Sequence, residues 1–92
     1  MLEIKFTASM KRDVKRLEKQ GKDMSKLRAV LLLLADGKPL PPKKRDHALT
    51  GSKKSLRECH IEPDWLLVYQ IRQSELVLLA VNTGSHADLF GL

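Results

Sequence analysis

The chain has 92 residues, 42% of them apolar, and a formal charge of +6. That length allows one domain, residues 1–92, with a modest core, and that apolar content argues against a disordered chain. A single cysteine, Cys59, excludes an internal disulfide, and apolar runs such as Val30 to Ala35 are far too short to cross a bilayer.

Leu2, Ile4 and Phe6 alternate with Glu3 and Lys5, which predicts a short strand with one buried face. The same charges interrupt any secretory leader, so a cytoplasmic location is expected. Thr7 or Ser9 can cap a helix running to about Gln20, with Met10, Val14 and Leu17 as a narrow apolar stripe. Gly21 suits the residue that ends it. Asp23 or Ser25 can cap a second helix, whose apolar face is Met24, Leu27, Val30, Leu31 and Leu34, with Gly37 as its stop. The two helices should form a hairpin around Gly21-Lys22.

Pro39, Pro41 and Pro42 then open a loop reaching about Lys54, long for a small domain. Three segments rich in strand formers follow, roughly Ser55–Ile61, Trp65–Ile71 and Glu75–Val81, with turns at Pro63-Asp64 and Gln73-Ser74. Ser85 can cap a short terminal helical turn. The expected fold is α+β, with element order β-α-α-β-β-β. Its last three strands form an antiparallel meander, the first strand joins the edge, and the helices cover one face.

The charge is unevenly spread. Residues 1–54 hold 15 Lys/Arg against 6 Asp/Glu, and residues 55–92 hold 2 against 5. A basic half of this kind suits a polyanion, whether RNA, DNA or an acidic protein; the plainer alternative is a solvated basic surface. Three histidines stand beside carboxylates or polar turns: His47 after Asp46, His60 two residues from Glu58, and His86 after Gly84-Ser85. Imidazole suits proton transfer near neutral pH. Strand alternation places His60 with Glu58 and sets Cys59 on the opposite face with Ile61, where a thiol packs rather than reacts. The histidine spacings match no compact metal motif, and no glycine-rich phosphate loop is present. Trp65, Leu67, Tyr69 and Ile71 share one strand face, either as core or as a stacking platform. Phe90, near the end, is the better candidate for touching a partner or a base.

Three segments resemble the RelE superfamily of bacterial type II toxins, most closely its YafQ branch. They are Asp46-His47-Ala48-Leu49-Thr50-Gly51-Ser52, Arg57-Glu58-Cys59-His60-Ile61-Glu62-Pro63-Asp64-Trp65 and Thr83-Gly84-Ser85-His86-Ala87-Asp88-Leu89-Phe90-Gly91. Lys11-Arg12-Asp13-Val14-Lys15 and Lys22-Asp23-Met24-Ser25-Lys26-Leu27 also fit, so the likeness spans essentially the whole chain. The resemblance implies a microbial-ribonuclease-like domain acting as an mRNA endoribonuclease in the ribosomal A site. It also implies a cognate antitoxin, contact with operator DNA only through the antitoxin complex, and no membrane association. Carried over by motif, His47, His60, Asp64 and His86 fall on catalytic positions. Glu58 stands where close relatives often carry aspartate, and Phe90 matches a terminal aromatic implicated in activity. Ala48 replaces the proline common after the loop histidine, which loosens what orients His47.

RNA supplies its own nucleophile, the 2′-OH, so acid–base groups and cations suffice without a metal or cofactor. The expected roles are His60 as base with Glu58 or Asp64 beside it, His86 as acid, and His47 as a further phosphate contact. Arg57 and the loop cations Lys43, Lys44, Arg45, Lys53 and Lys54 should stabilise the phosphate. Lys11, Arg12, Lys15, Arg16 and Lys19 should track ribosomal RNA. The competing readings are a non-catalytic nucleic-acid-binding module and a protein-interaction domain with an acidic partner.

Overall fold

Alternation at the N-terminus yields strand β1 (Glu3–Phe6), with Ile4 and Phe6 half-buried and Glu3 and Lys5 exposed. The computed structural model describes residues 1–51 and 55–91. The RNA contacts expected of Lys53 and Lys54 therefore lie outside the described residues. Thr7 caps helix α1 (Ala8–Lys19), its hydroxyl accepting from the Met10 N–H at 3.0 Å. Gly21, at φ +80°, takes the left-handed conformation that lets the chain leave α1. Asp23 caps helix α2 (Met24–Ala35), accepting from the Ser25 N–H at 3.1 Å. Its expected face is the buried one: Leu27, Val30, Leu31 and Leu34, with Met24 half-buried.

The proline-rich stretch is more ordered than a plain loop. A 3₁₀ turn at Pro42–Lys44 ends on Arg45 in the left-handed region (φ 51°), and strand β2 (His47–Ala48) follows. Two residues carry too little local signal to read as a strand. They form one because β3 (Arg57–Glu62) offers a pairing edge, with His47 opposite Glu58 and Ala48 opposite Arg57. β4 (Trp65–Arg72) follows as expected. β5 spans Val77–Gly84, later than the expected Glu75–Val81, because a 3₁₀ turn at Gln73–Glu75 and a left-handed Leu76 make the reversal. Helix α3 (His86–Phe90) begins at Ser85, whose side chain and that of Asp88 form a reciprocal capping box.

Among the described residues the strands form one sheet in the order β1-β5-β4-β3-β2. β2 to β5 are antiparallel: β3, β4 and β5 make the expected meander, and β2 adds to its edge. β1 does join the edge, but it runs parallel to β5, from Glu3 opposite Val77 to Phe6 opposite Ala80. Parallel pairing needs a long crossover, and here the helices and three strands supply it.

One sheet face is covered by the helices. Cys59, Ile61, Trp65, Leu67, Tyr69 and Leu78 pack there with Met10, Leu17, Leu27, Val30, Leu31 and Leu34. The Trp65 indole N–H donates to Thr83 Oγ1 at 2.9 Å, and that hydroxyl donates to the Leu66 carbonyl at 2.7 Å. The aromatic row is thus core rather than a stacking platform. Burial also pushes the Cys59 thiol up to about 12, which removes it as a nucleophile. Truncating a residue such as Leu67 to Ala would cost about 2–5 kcal/mol, the usual range for a filled core. Alternation sends Glu58, His60, Leu66 and Val68 to the opposite face.

Candidate active site

The histidines gather at that second face. His60 sits on β3, and the turn after it carries Asp64. His86 opens α3, just beyond the end of β5. The register places His60 opposite Leu66 and Leu66 opposite Gly84, so β4 bridges the two ends. The His60 and His86 rings are 5.9 Å apart between centroids, at 57°. The Phe90 ring, one helical turn beyond His86, lies 6.4 Å from it.

Each imidazole is held by the same nitrogen. His86 Nδ1 donates to Asp64 Oδ1 at 2.7 Å, and the His86 backbone N–H donates to the same oxygen at 3.0 Å. His60 Nδ1 donates to the Pro63 carbonyl at 3.2 Å, and His47 Nδ1 to the Arg45 carbonyl at 2.7 Å. A carbonyl or carboxylate can only accept, so each Nδ1 carries a proton. In the neutral ring the lone pair is then on Nε2. Three rings are thereby fixed in one tautomer, with Nε2 the nitrogen able to exchange a proton. His47 Nε2 lies 3.6 Å from Glu58 Oε1, an ion pair when the imidazole is protonated.

The electrostatics follow from these contacts. Two hydrogen bonds from His86, the backbone one first, hold the Asp64 carboxyl below the usual carboxylate range. Glu58 is buried at 7% exposure and faces His47. The expected alliance of Asp64 or Glu58 with His60 is therefore replaced: Asp64 holds His86, Glu58 faces His47, and His60 takes a backbone carbonyl. Alternation gives the β-face of His60 but not the curl of the Pro63-Asp64 turn, which carries Asp64 toward α3.

The cations divide into two groups. A groove of about 720 Å³ runs between α2 and the loop before β2, with Lys43, Lys44, Arg45 and His60 along it and Val30 and Leu33 on its apolar side. Lys44 Nζ donates to the Ile61 carbonyl at 2.9 Å, which fixes the loop against β3. Lys11, Arg12 and Lys15 are exposed on α1. Arg57 and Arg16 are half-exposed and tied to carboxylates. Arg57 alternates to the helix side, where its Nε donates to Tyr69 Oη at 3.3 Å and Asp46 Oδ1 at 3.4 Å. Arg16 binds Asp13, the Thr83 carbonyl and Asp88. Asp13, Asp46 and Asp88 pair with these two arginines, contacts that sequence reasoning did not foresee. The one available signal was the spacing of Asp13 and Arg16 on a helix, where residues three apart are neighbours.

A family model described as the bacterial toxin of type II toxin-antitoxin system, YafQ, matches residues 2–91. The mRNA interferase toxin YafQ of Escherichia coli strain K12 is 41% identical over 90 residues, covering 97% of this chain and 96% of that protein. A metal-bound toxin from Helicobacter pylori has a closely similar structure, with a TM-score of 0.93 and 47% identity over 98% of this chain and 100% of that one. The E. coli DinJ–YafQ complex gives a TM-score of 0.89 at 39% identity, covering 99% and 100%. Fold and sequence together define a small bacterial toxin of the type II class. The chain belongs to the YafQ toxin family.

Proposed function

We propose that this protein is an mRNA endoribonuclease. In this reading it cuts on the translating ribosome, in the cytoplasm, by acid–base catalysis without a metal, and a cognate antitoxin neutralises it. The E. coli relative named an mRNA interferase supports the substrate, and the DinJ–YafQ complex supports the partner. Any contact with operator DNA would come through the antitoxin complex. The observation that carries the chemistry is the His60–His86 pair, 5.9 Å apart, with each Nδ1 anchored and each Nε2 left to move a proton.

His60 Nε2 takes the proton of the 2′-OH as its oxygen bonds to phosphorus. The bond from phosphorus to the 5′-oxygen breaks, and His86 donates its Nε2 proton to that leaving oxygen. Asp64 faces the ring that carries positive charge before this step. His47 and the loop cations Lys43, Lys44 and Arg45 face the phosphate, with Glu58 behind His47. Phe90 offers a face to a neighbouring base. The H. pylori relative is a metal-bound toxin. Each step above uses only side chains of this protein and the RNA itself.

The test is cleavage of a defined mRNA by the purified protein, with and without programmed ribosomes and with a chelator. The expected result is cutting that needs ribosomes, ignores the chelator, and leaves a 2′,3′-cyclic phosphate or 3′-phosphate with a 5′-OH. A 5′-phosphate product would overturn the scheme, because it requires water to attack and the 3′-oxygen to leave. Folded protein that binds RNA but never cuts would indicate the binding-module reading.

A further inference from the structure

Asp13, 8% exposed on α1, uses its two oxygens for different tasks. Oδ1 accepts from Arg16 Nη1 at 2.8 Å, and Oδ2 accepts from Asn82 Nδ2 at 3.0 Å and the Thr83 N–H at 3.1 Å. Arg16 Nη2 continues the chain to the Thr83 carbonyl at 3.1 Å and Asp88 Oδ2 at 3.4 Å. That same Asp88 oxygen accepts from the Ser85 N–H at 3.0 Å, one half of the capping box that starts α3. The network thus runs from α1, across the end of β5, into the first turn of the helix that begins with His86.

Gly84 marks how tightly this joint is built. Its φ is +153°, and a Cβ there would lie 2.7 Å from Arg16 Nη2 and 2.8 Å from Asp88 Oδ2. Arg16 Nε, meanwhile, is buried and has no hydrogen-bond partner among the described residues. A buried donor without a partner is unfavourable. The side chain is held there for the reach of its two Nη groups, which a shorter or single-headed cation would not match.

We propose that the Asp13–Arg16 pair is a positioning device for His86. It sets the angle at which α3 leaves β5, and so the meeting of His86 Nδ1 with Asp64 and the place of Phe90. None of its hydrogen bonds reaches Asp64 or an imidazole, so the pair acts on His86 through the joint rather than by direct contact. The proposal rests on reading His86 as a catalytic group.

The test compares Arg16→Gln, Arg16→Lys, Asp13→Asn and Gly84→Ala with the parent chain. Three properties are read: kcat and KM for ribosome-programmed cleavage, thermal unfolding, and the ¹⁵N resonances of the three imidazoles. The expectation for Arg16→Gln is a fall in kcat of about 10- to 100-fold with KM within about twofold, the scale of a small misplacement of reacting groups. The His86 resonances should move while those of His47 and His60 stay in place. Arg16→Lys should recover part of the loss. Gly84→Ala, which removes no charge, should perturb His86 in the same way, and it tests the joint even if Arg16→Gln fails to fold. A folded Arg16→Gln or Gly84→Ala chain with parental His86 resonances would overturn the proposal, as would a rise in KM alone, which would make Arg16 a contact to RNA. Inactivity of the parent chain, or full activity of His86→Ala, would instead sink the catalytic reading, and the imidazole resonances would still decide the positioning one.

Discussion

Tyr69 and Asp46, 23 positions apart, are joined by a hydrogen bond from the phenol to the carboxylate. Arg57 leans on both. The bond fastens the residue next to His47 to a ring that is 1% exposed in the core. The loop before β2 is thereby held by the face of the sheet opposite to the histidines.

Tyr69→Phe removes the donor and leaves Asp46 facing a carbon. The expected loss is about 1–3 kcal/mol of stability, the range for a partly buried group deprived of its partner. His47 should also become more mobile. Denaturant unfolding checks the first effect, and relaxation of the His47 backbone amide checks the second.

Burial, and then the Asp46 carboxylate, push the Tyr69 phenol above the ordinary tyrosine range. A folded-state pKa that is raised favours the folded form below the ordinary phenol value, about 10, and that advantage is lost as pH rises toward the folded value. Tyr69 is the one tyrosine of the chain. Its phenolate absorbance should therefore appear in the native protein at higher pH than in the unfolded protein. Identical titrations in the two states would contradict this.

Asp64→Asn should cut kcat by about 10²-fold, the lower range for a disturbed acid–base group, with a smaller change in KM. The amide can still accept from the His86 backbone but brings no charge to the ring. Because the Asp64 pKa is lowered, its stabilising effect is present above the ordinary aspartate value and disappears only as pH falls through the lower one. Acid loss of activity above the ordinary aspartate range should thus persist in Asp64→Asn. An acid limb that vanished with the substitution would mean Asp64 itself titrates there.

Cys59 is fully buried, and its thiol is pushed up to about 12. Iodoacetamide at mildly alkaline pH should leave the folded chain unmodified and alkylate it after denaturation, as mass spectrometry would read. Rapid alkylation of the native protein would show that the sheet opens at β3.

Charge reversal of Lys11 and Lys15 together should weaken association with ribosomes and reduce its salt slope by about 2, one unit for each phosphate no longer neutralised. Unchanged affinity and slope would remove α1 from the RNA-facing surface.

The features legible in the sequence are those with local causes. Thr7, Asp23 and Ser85 cap helices because each needs only an N–H two or three residues ahead. The split of Cys59 from His60 follows from strand alternation alone. The three histidines and the motifs around them are visible as candidates, but their partners are not. Asp64 reaches His86 across 22 positions, and Arg16 reaches Thr83 across 67. Such pairings are made by topology, which no window of sequence contains. For the same reason Arg16 and Arg57 read as surface cations until Asp13, Asp46 and Asp88 are placed beside them. The β2 pairing is likewise set by β3 rather than by the two residues that form it.

The parallel seam between β1 and β5 bears on how the molecule is made. Among the described residues β1 has β5 as its sole neighbour in the sheet, and β5 follows both long helices and the other three strands in the chain. A growing polypeptide must therefore carry its first strand unpaired while all of those elements are synthesised. Long-range pairings of this kind form late and slowly. The arrival of β5 also brings His86 to His60, so a nascent chain has no assembled histidine cluster until the strand that closes its sheet has emerged.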